Sequence, residues 1–185
     1  AKNLGCYGDG GAIFTDNNGL AEKIRMIVNH GENKRYHHKI IGCNSRLDSL
    51  QAVILNIKLK YLDNYNSTRR IMADNYNKAF QNISNLQTPI EIDNSTHVYH
   101  QYTLKVLNGK RNELKEYLQK NGIPTMIYYP IPLYKQEAFS NYVDDGYYLK
   151  NTEELSENVL SLPIHTEIEN SYQDFIIEKV LNFFK

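Results

Sequence analysis

The sequence predicts an α/β chain in two parts, a helical first part over residues 1–82 and a smaller α+β part over residues 83–185. Three observations predict it. Leu47, Leu50, Ile54, Ile57, Tyr61 and Leu62 recur at three and four residues, the spacing of one helix face. Val98, His100, Tyr102, Leu104 and Val106 alternate with Tyr99, Gln101, Thr103 and Lys105, the two-residue period of a strand. Beyond Phe80 to Pro89 the composition turns from helical runs to α+β.

Taken in order, Gly11-Ala12-Ile13-Phe14-Thr15 is a short apolar run before the polar Asp16-Asn17-Asn18-Gly19, which reads as a buried strand and a turn. Leu20, Ile24, Ile27 and Val28 then mark an amphipathic helix, stopped by Gly31. From Glu32 to Ile41 the chain is basic and aperiodic, so a loop is expected. His37 and His38 are adjacent in it and lack the spacing of a helical metal site. The helix from Leu47 has Asn44 or Ser45 placed to cap it, and a second helical run follows through Ile71, Ala73, Tyr76 and Phe80. After the strand at 98–106, in which His100 takes the core face, a helix from Arg111 to Asn121 ends at Gly122 with Pro124 beyond. Met126-Ile127-Tyr128-Tyr129 reads as a strand broken by Pro130 and Pro132. Glu153 to Leu160 reads as a short helix and Leu162 to His165 as an extended piece. Tyr172, Phe175, Ile176, Val180 and Phe183 line a closing helix.

Bulk composition excludes several function classes. Lys+Arg and Asp+Glu are equal at 21 each, so the chain lacks the basic footprint of a nucleic-acid binder. With 41% apolar and 23% charged residues, neither disorder nor a membrane span is indicated. Cys6 and Cys43 form no metal-ligand spacing and no disulfide framework, the usage of a reducing cytoplasm, and both are expected to be small buried hydrophobes. The 15 tyrosines and absent tryptophan have no physical account.

The chemistry concentrates at the start, where Lys2 precedes a stretch holding Gly5, Gly8, Gly10 and Gly11. A lysine amine does covalent work on carbonyls once its pKa is lowered from the ordinary ~10.4. Glycines let backbone approach a ligand closely. Read alone, the pattern suits either a bound aldehyde or a surface lysine beside a turn. Asp9, between glycines, is read as bonding its own backbone.

Lys2-Asn3-Leu4-Gly5, Gly8-Asp9-Gly10-Gly11-Ala12, Tyr36-His37-His38 and the run from Gly42 to Ala52 together resemble the second half of a DegT/DnrJ/EryC1/StrS-type nucleotide-sugar aminotransferase. The resemblance extends from Lys2 to the final helix. It implies a fold-type I enzyme dependent on pyridoxal 5′-phosphate (PLP), with residues 1–82 the C-terminal remnant of the PLP-binding large domain plus connecting helices, and residues 83–185 the small domain. With no initiator Met or polar lead-in before Lys2, a preceding segment carrying most of the large-domain sheet is expected to be missing, and residues 1–185 alone to bind PLP weakly.

Residue by residue, the resemblance makes Lys2 the catalytic residue that carries the cofactor and shuttles the proton. Asn44 becomes a cofactor-phosphate ligand reaching across a homodimer with shared active sites, and Arg46 a substrate-binding cation at the same dimeric site. An arginine in a first helical turn also suggests a bound anion. Tyr128 and Tyr129 match a segment bordering the sugar; Tyr128 replaces the family's histidine there, and Tyr134 stands where many relatives have another. The implied reaction is amination of a nucleoside-diphosphate keto sugar, 3-keto slightly before 4-keto, with glutamate as donor. The product serves surface polysaccharides or glycosylated metabolites. The alternatives are a non-catalytic fragment or assembly module, and a PLP- or pyridoxamine-dependent sugar dehydratase. Lys2 argues against the dehydratase, because that branch has histidine in its place.

Overall fold

A computed structural model describes residues 2–144 and 146–185. The chain forms two compact units, one ending at Leu62 and one running from Asp63 to Lys185. This division differs from the 82/83 boundary by one helix, α3 (Leu62–Phe80), and the reason is packing. Met72, Ala73, Tyr76 and Phe80 on α3 are buried, and three of them belong to the core of the second unit.

In the first unit, α1 spans Asn18–Val28. The Asn17 side-chain oxygen accepts the Leu20 N–H at 3.0 Å, satisfying one of the donors that a helix start leaves open. At the other end Gly31, at φ +81°, donates its N–H to Met26 O at 2.7 Å, the glycine stop that the sequence predicts. The expected loop after it closes as a small antiparallel hairpin, β1 (Glu32–Lys34) with β2 (His37–His38). The link back is tight. A Cβ at Gly31 would fall 1.7 Å from Ile40 O, and one at Gly42 would fall 2.2 Å from Gly31 N. Cys43 N–H then bonds Ile27 O at 2.8 Å, and Asn44 forms an antiparallel bridge with Asn29.

That bridge displaces a predicted cap. Helix α2 begins later, at Ser49, and ends at Leu59, with Asp48 at its N-cap position making no side-chain cap bond. Asn44 and Ser45 therefore do not cap it, and Arg46 precedes the helix rather than lying in its first turn. The strand expected over residues 11–15 does not form either. Ile13 is 69% and Phe14 92% exposed, and among the described residues no strand pairs with them. Cys43 is exposed and Cys6 half-buried, so neither is the buried hydrophobe expected. Within the described part of this unit only Gly5 and Gly31 are buried.

The second unit has a core of its own. A three-stranded antiparallel sheet runs in the order β3 (Leu86–Gln87), β4 (Tyr102–Val106), β5 (Val159–Leu162). Tyr102, Leu104 and Val106 are buried on β4 while Thr103 and Lys105 are half-buried, the alternation that the sequence shows. Val98 and His100 fall ahead of the paired strand. Helix α4 (Arg111–Lys120) buries Leu114 and Leu118 and ends before Gly122, at φ +74°. Helix α5 (Lys150–Asn158) is shorter than the sequence suggests, because Val159-Leu160-Ser161-Leu162 pairs with β4, Val159 opposite Lys105 and Leu162 opposite Tyr102. Only Met126 of the expected 126–129 strand pairs, in a single bridge to Ser161. Helix α6 (Asn170–Phe183) closes the unit over Ile176 and Val180.

Each large apolar side chain buried here stabilises the unit by roughly 1.5–3 kcal/mol before the entropy of ordering is subtracted. Several of its buried polar groups are satisfied internally. Tyr76 OH donates to Pro163 O at 3.0 Å, Tyr102 OH to Asn77 at 2.8 Å, and the buried Gln173 amide to Met72 O at 2.8 Å. Arg69 on α3 donates from Nη1 to Tyr99 O, His100 O and Ile164 O at 3.1, 3.3 and 3.0 Å. One side chain thus ties the approach to β4 to the exit from β5.

Candidate functional site

The glycine-rich segment after Lys2 is held by α2. Gln51 accepts the Tyr7 N–H at 2.7 Å and donates to Tyr7 O at 3.3 Å, so one side-chain amide pairs both backbone groups of that residue. One α-helical stretch further, Lys58 Nζ donates to Gly5 O at 2.6 Å and lies 5.8 Å from the Tyr7 ring centre. The glycines suit this approach. A Cβ at Gly8 would come 3.3 Å from Gln51 Nε2, and a Cβ at Gly10 would come 2.9 Å from Cys6 Sγ. Cys6 itself donates to Gly8 O at 3.0 Å.

The result is a pocket of about 440 Å³, lined by Lys2, Leu4 to Cys6, Gly8 to Ala12, and Leu47 and Leu55. That volume lies within the usual ~300–1,000 Å³ of small-molecule sites. A lysine amine at the wall, a loop crowded by a Cβ at Gly8 or Gly10, and the apolar Leu47 and Leu55 in the lining suit a flat aldehyde ring. The residues present fit PLP on this wall.

Asn44 and Arg46 lie in the same unit and touch each other, Arg46 Nε donating to Asn44 Oδ1 at 3.2 Å. Neither lines the Lys2 pocket. Both residues are exposed. His38 Nδ1 meets His30 O at 2.9 Å and its Nε2 lies 3.9 Å from the Glu32 carboxylate. Among the described residues no group of three or more His, Cys, Asp or Glu is arranged to hold a metal ion.

Tyr128 and Tyr129 belong to the second unit, edge to face with ring centres 5.6 Å apart, and Tyr129 is largely exposed. They open a stretch without α-helix, carrying short 3-10 turns at Leu133–Lys135 and Glu137–Tyr142. Tyr134 and Lys135 on the first turn both donate to Glu153 on α5, the lysine at 2.6 Å. Lys135 and Tyr134 hold the Glu153 carboxyl below its ordinary range, while desolvation and Glu153 raise the Tyr134 phenol.

Three residues escape sequence reasoning: Gln51, Lys58 and Glu153. Gln51 lies inside the Gly42–Ala52 block, yet its partner is 44 residues away and no local pattern announces it. Glu153 reads as an ordinary acid in a first helical turn.

The DegT/DnrJ/EryC1/StrS aminotransferase family model matches residues 1–181. A Geobacillus stearothermophilus protein named pleiotropic regulatory protein is 40% identical over the whole chain, which covers 50% of it. The UDP-2-acetamido-2-deoxy-3-oxo-D-glucuronate aminotransferase of Pseudomonas aeruginosa is 39% identical over 98% of the chain and 49% of its own length. The crystal structure of DesV from S. venezuelae superposes with a TM-score of 0.93 at 34% identity, over 99% of the chain and 49% of DesV. The chain spans about half the length of the curated relatives it matches.

Proposed function

The chain belongs to the DegT/DnrJ/EryC1/StrS aminotransferase family, and on that premise we propose that it forms part of a PLP-dependent enzyme that aminates a nucleoside-diphosphate keto sugar. The observation that carries the reading is Lys2 on the wall of a pocket whose glycine loop is fastened to α2 by Gln51 and Lys58. Lys2 would hold the cofactor covalently through Nζ. Bound PLP supplies an electron sink for negative charge developing beside the transferred nitrogen. The Lys2 amine takes the proton from the Cα of the amino donor, for which glutamate is the proposed identity.

Asn44 and Arg46, adjacent and open, are proposed to meet the anionic groups. Asn44 donates to the cofactor phosphate of a second copy of the chain, and Arg46 pairs with a substrate phosphate or carboxylate in the two-bond geometry a guanidinium allows. Tyr128 and Tyr129 offer phenol donors and flat apolar faces to the sugar nucleotide. A phenol in place of imidazole at residue 128 favours hydrogen bonding over proton transfer there. A keto group at the sugar's third carbon is slightly preferred over one at the fourth, supported by the 3-oxo substrate named for the Pseudomonas relative. The product is an amino sugar of the kind built into surface polysaccharides or glycosylated metabolites, and the proposed compartment is the cytoplasm. No described helix is long and apolar enough to cross a membrane.

The test uses the protein expressed from its full reading frame with PLP. Nucleotide 3-keto and 4-keto sugars are screened with glutamate, and amination is read by mass spectrometry. The wild type is expected to show a long-wavelength absorbance band that borohydride abolishes, and Lys2→Ala to lose both band and turnover. Transamination that survives Lys2→Ala would refute the reading.

A further inference from the structure

Two consecutive carboxylates on α5 hold two different neighbours. Glu154 pairs with Lys105 of β4, which fastens the helix to the sheet. Glu153, whose side chain is 13% exposed, accepts from Tyr134 OH and from Lys135 Nζ. The Tyr134 oxygen in turn accepts the Leu149 N–H at 3.4 Å, and the Tyr147 ring packs edge-on against Tyr134 with centres 5.3 Å apart. The turn at Leu133–Lys135 and the C-terminal end of the long stretch between Ile127 and Lys150 therefore meet at one side-chain cluster.

That stretch has little else to order it. Its described residues hold two 3-10 turns, neither with a buried residue, and Pro132 before the first is buried; a loop of such length with so small a core stays mobile unless tied. Pro130 and Pro132 restrict the backbone between Tyr129 and Leu133, so that fixing Tyr134 also limits where the tyrosines before it can go. A charged acceptor bonded by a phenol and an ammonium makes a stronger tie than neutral pairs do.

We propose that Glu153 is a positioning residue, which ties down the turn at Leu133–Lys135 and thereby presents Tyr128 and Tyr129 to the nucleotide sugar. The proposal rests on the reading of those tyrosines as sugar contacts. Glu153 touches no reacting atom; it acts through the turn. Its removal loosens substrate binding and leaves the chemistry at Lys2 alone.

The test compares wild type, Glu153→Ala and Tyr134→Phe, each expressed from the full reading frame. Steady-state kinetics are measured for both substrates, and limited proteolysis is mapped by mass spectrometry. For Glu153→Ala the nucleotide-sugar KM is expected to rise about tenfold, with kcat within threefold and the amino-donor KM unchanged. Cleavage between residues 136 and 148 is expected to quicken about fivefold. Tyr134→Phe leaves the Lys135 pair in place and removes one donor, so it should raise the same KM about threefold even if Glu153→Ala folds poorly. Faster cleavage with an unchanged KM in an active enzyme would show a purely structural tie and overturn the proposal. Unchanged cleavage in both variants would overturn the tie itself. A wild type that aminates no nucleotide keto sugar would instead overturn the functional reading beneath it.

Discussion

Gln51 pairs with Tyr7 as a strand would, giving and taking one hydrogen bond across 44 residues of sequence. An α-helix rarely offers a loop both a donor and an acceptor; a glutamine on its surface does. The Lys2 segment thus keeps its register against α2 without any strand of its own. Each bond is worth roughly 0.5–1.5 kcal/mol net. Gln51→Leu is expected to speed exchange of the Tyr7 amide hydrogen up to about tenfold, read by hydrogen–deuterium exchange. An unchanged rate would mean that the pair does not hold the segment.

Gly31 and Gly42 form a crossing that admits no side chain. Gly31→Ala would place a methyl carbon inside the Ile40 carbonyl and force a positive φ on alanine, and Gly42→Ala would strike Gly31 N and Ile27 O. A left-handed conformation costs a non-glycine residue ~1–2 kcal/mol before any clash is counted. Both substitutions are expected to open the hairpin and free the Cys43 amide from Ile27 O. The check is loss of protection at Cys43 with exchange in α4 unaltered.

Arg69 is expected to be irreplaceable by lysine. Three carbonyls meet one guanidinium nitrogen, and burial alone lowers the Arg69 pKa from its usual value. Hydrogen bonds to charged groups contribute roughly 1.5–3 kcal/mol, so Arg69→Met should destabilise the chain by about that much in urea. Arg69→Lys should recover only part of it, because a compact ammonium is more strongly hydrated than a guanidinium and costs more to desolvate among these carbonyls.

Alkali should unfold the second unit through its tyrosines. Burial raises the pKa of Tyr76 and of Tyr102 above the ordinary 10.0, with smaller contributions from neighbouring phenols. The folded state therefore keeps protons that the unfolded state releases. Their stabilisation is complete below pH 10 and falls as pH rises above it toward the folded values. Phenolate absorbance for these two residues should appear together with loss of far-ultraviolet circular dichroism. Tyr76→Phe, which removes one titrating group, should shift that transition upward in pH.

Helices were legible because their apolar spacing and their stop glycines are local. α4 ends before Gly122 and α1 is closed by Gly31, as the sequence suggests. What local pattern cannot convey is pairing. The strand expected at 11–15 lacks a described neighbour, β5 starts at Val159 because β4 is beside it, and Asn44 is held by Asn29 instead of capping α2. At the site, Lys2 and its glycines were readable as a motif. Gln51, Lys58 and Glu153 were not, since each earns its place through a partner distant in sequence or on another element.

The distribution of buried side chains has a calorimetric consequence. Heat capacity rises on unfolding in proportion to the apolar area newly exposed to water. Among the described residues every fully buried apolar side chain lies in 63–185, while those of residues 2–62 are half-buried or exposed. A scan of these 185 residues should therefore record an endotherm and a baseline step that come mainly from residues 63–185.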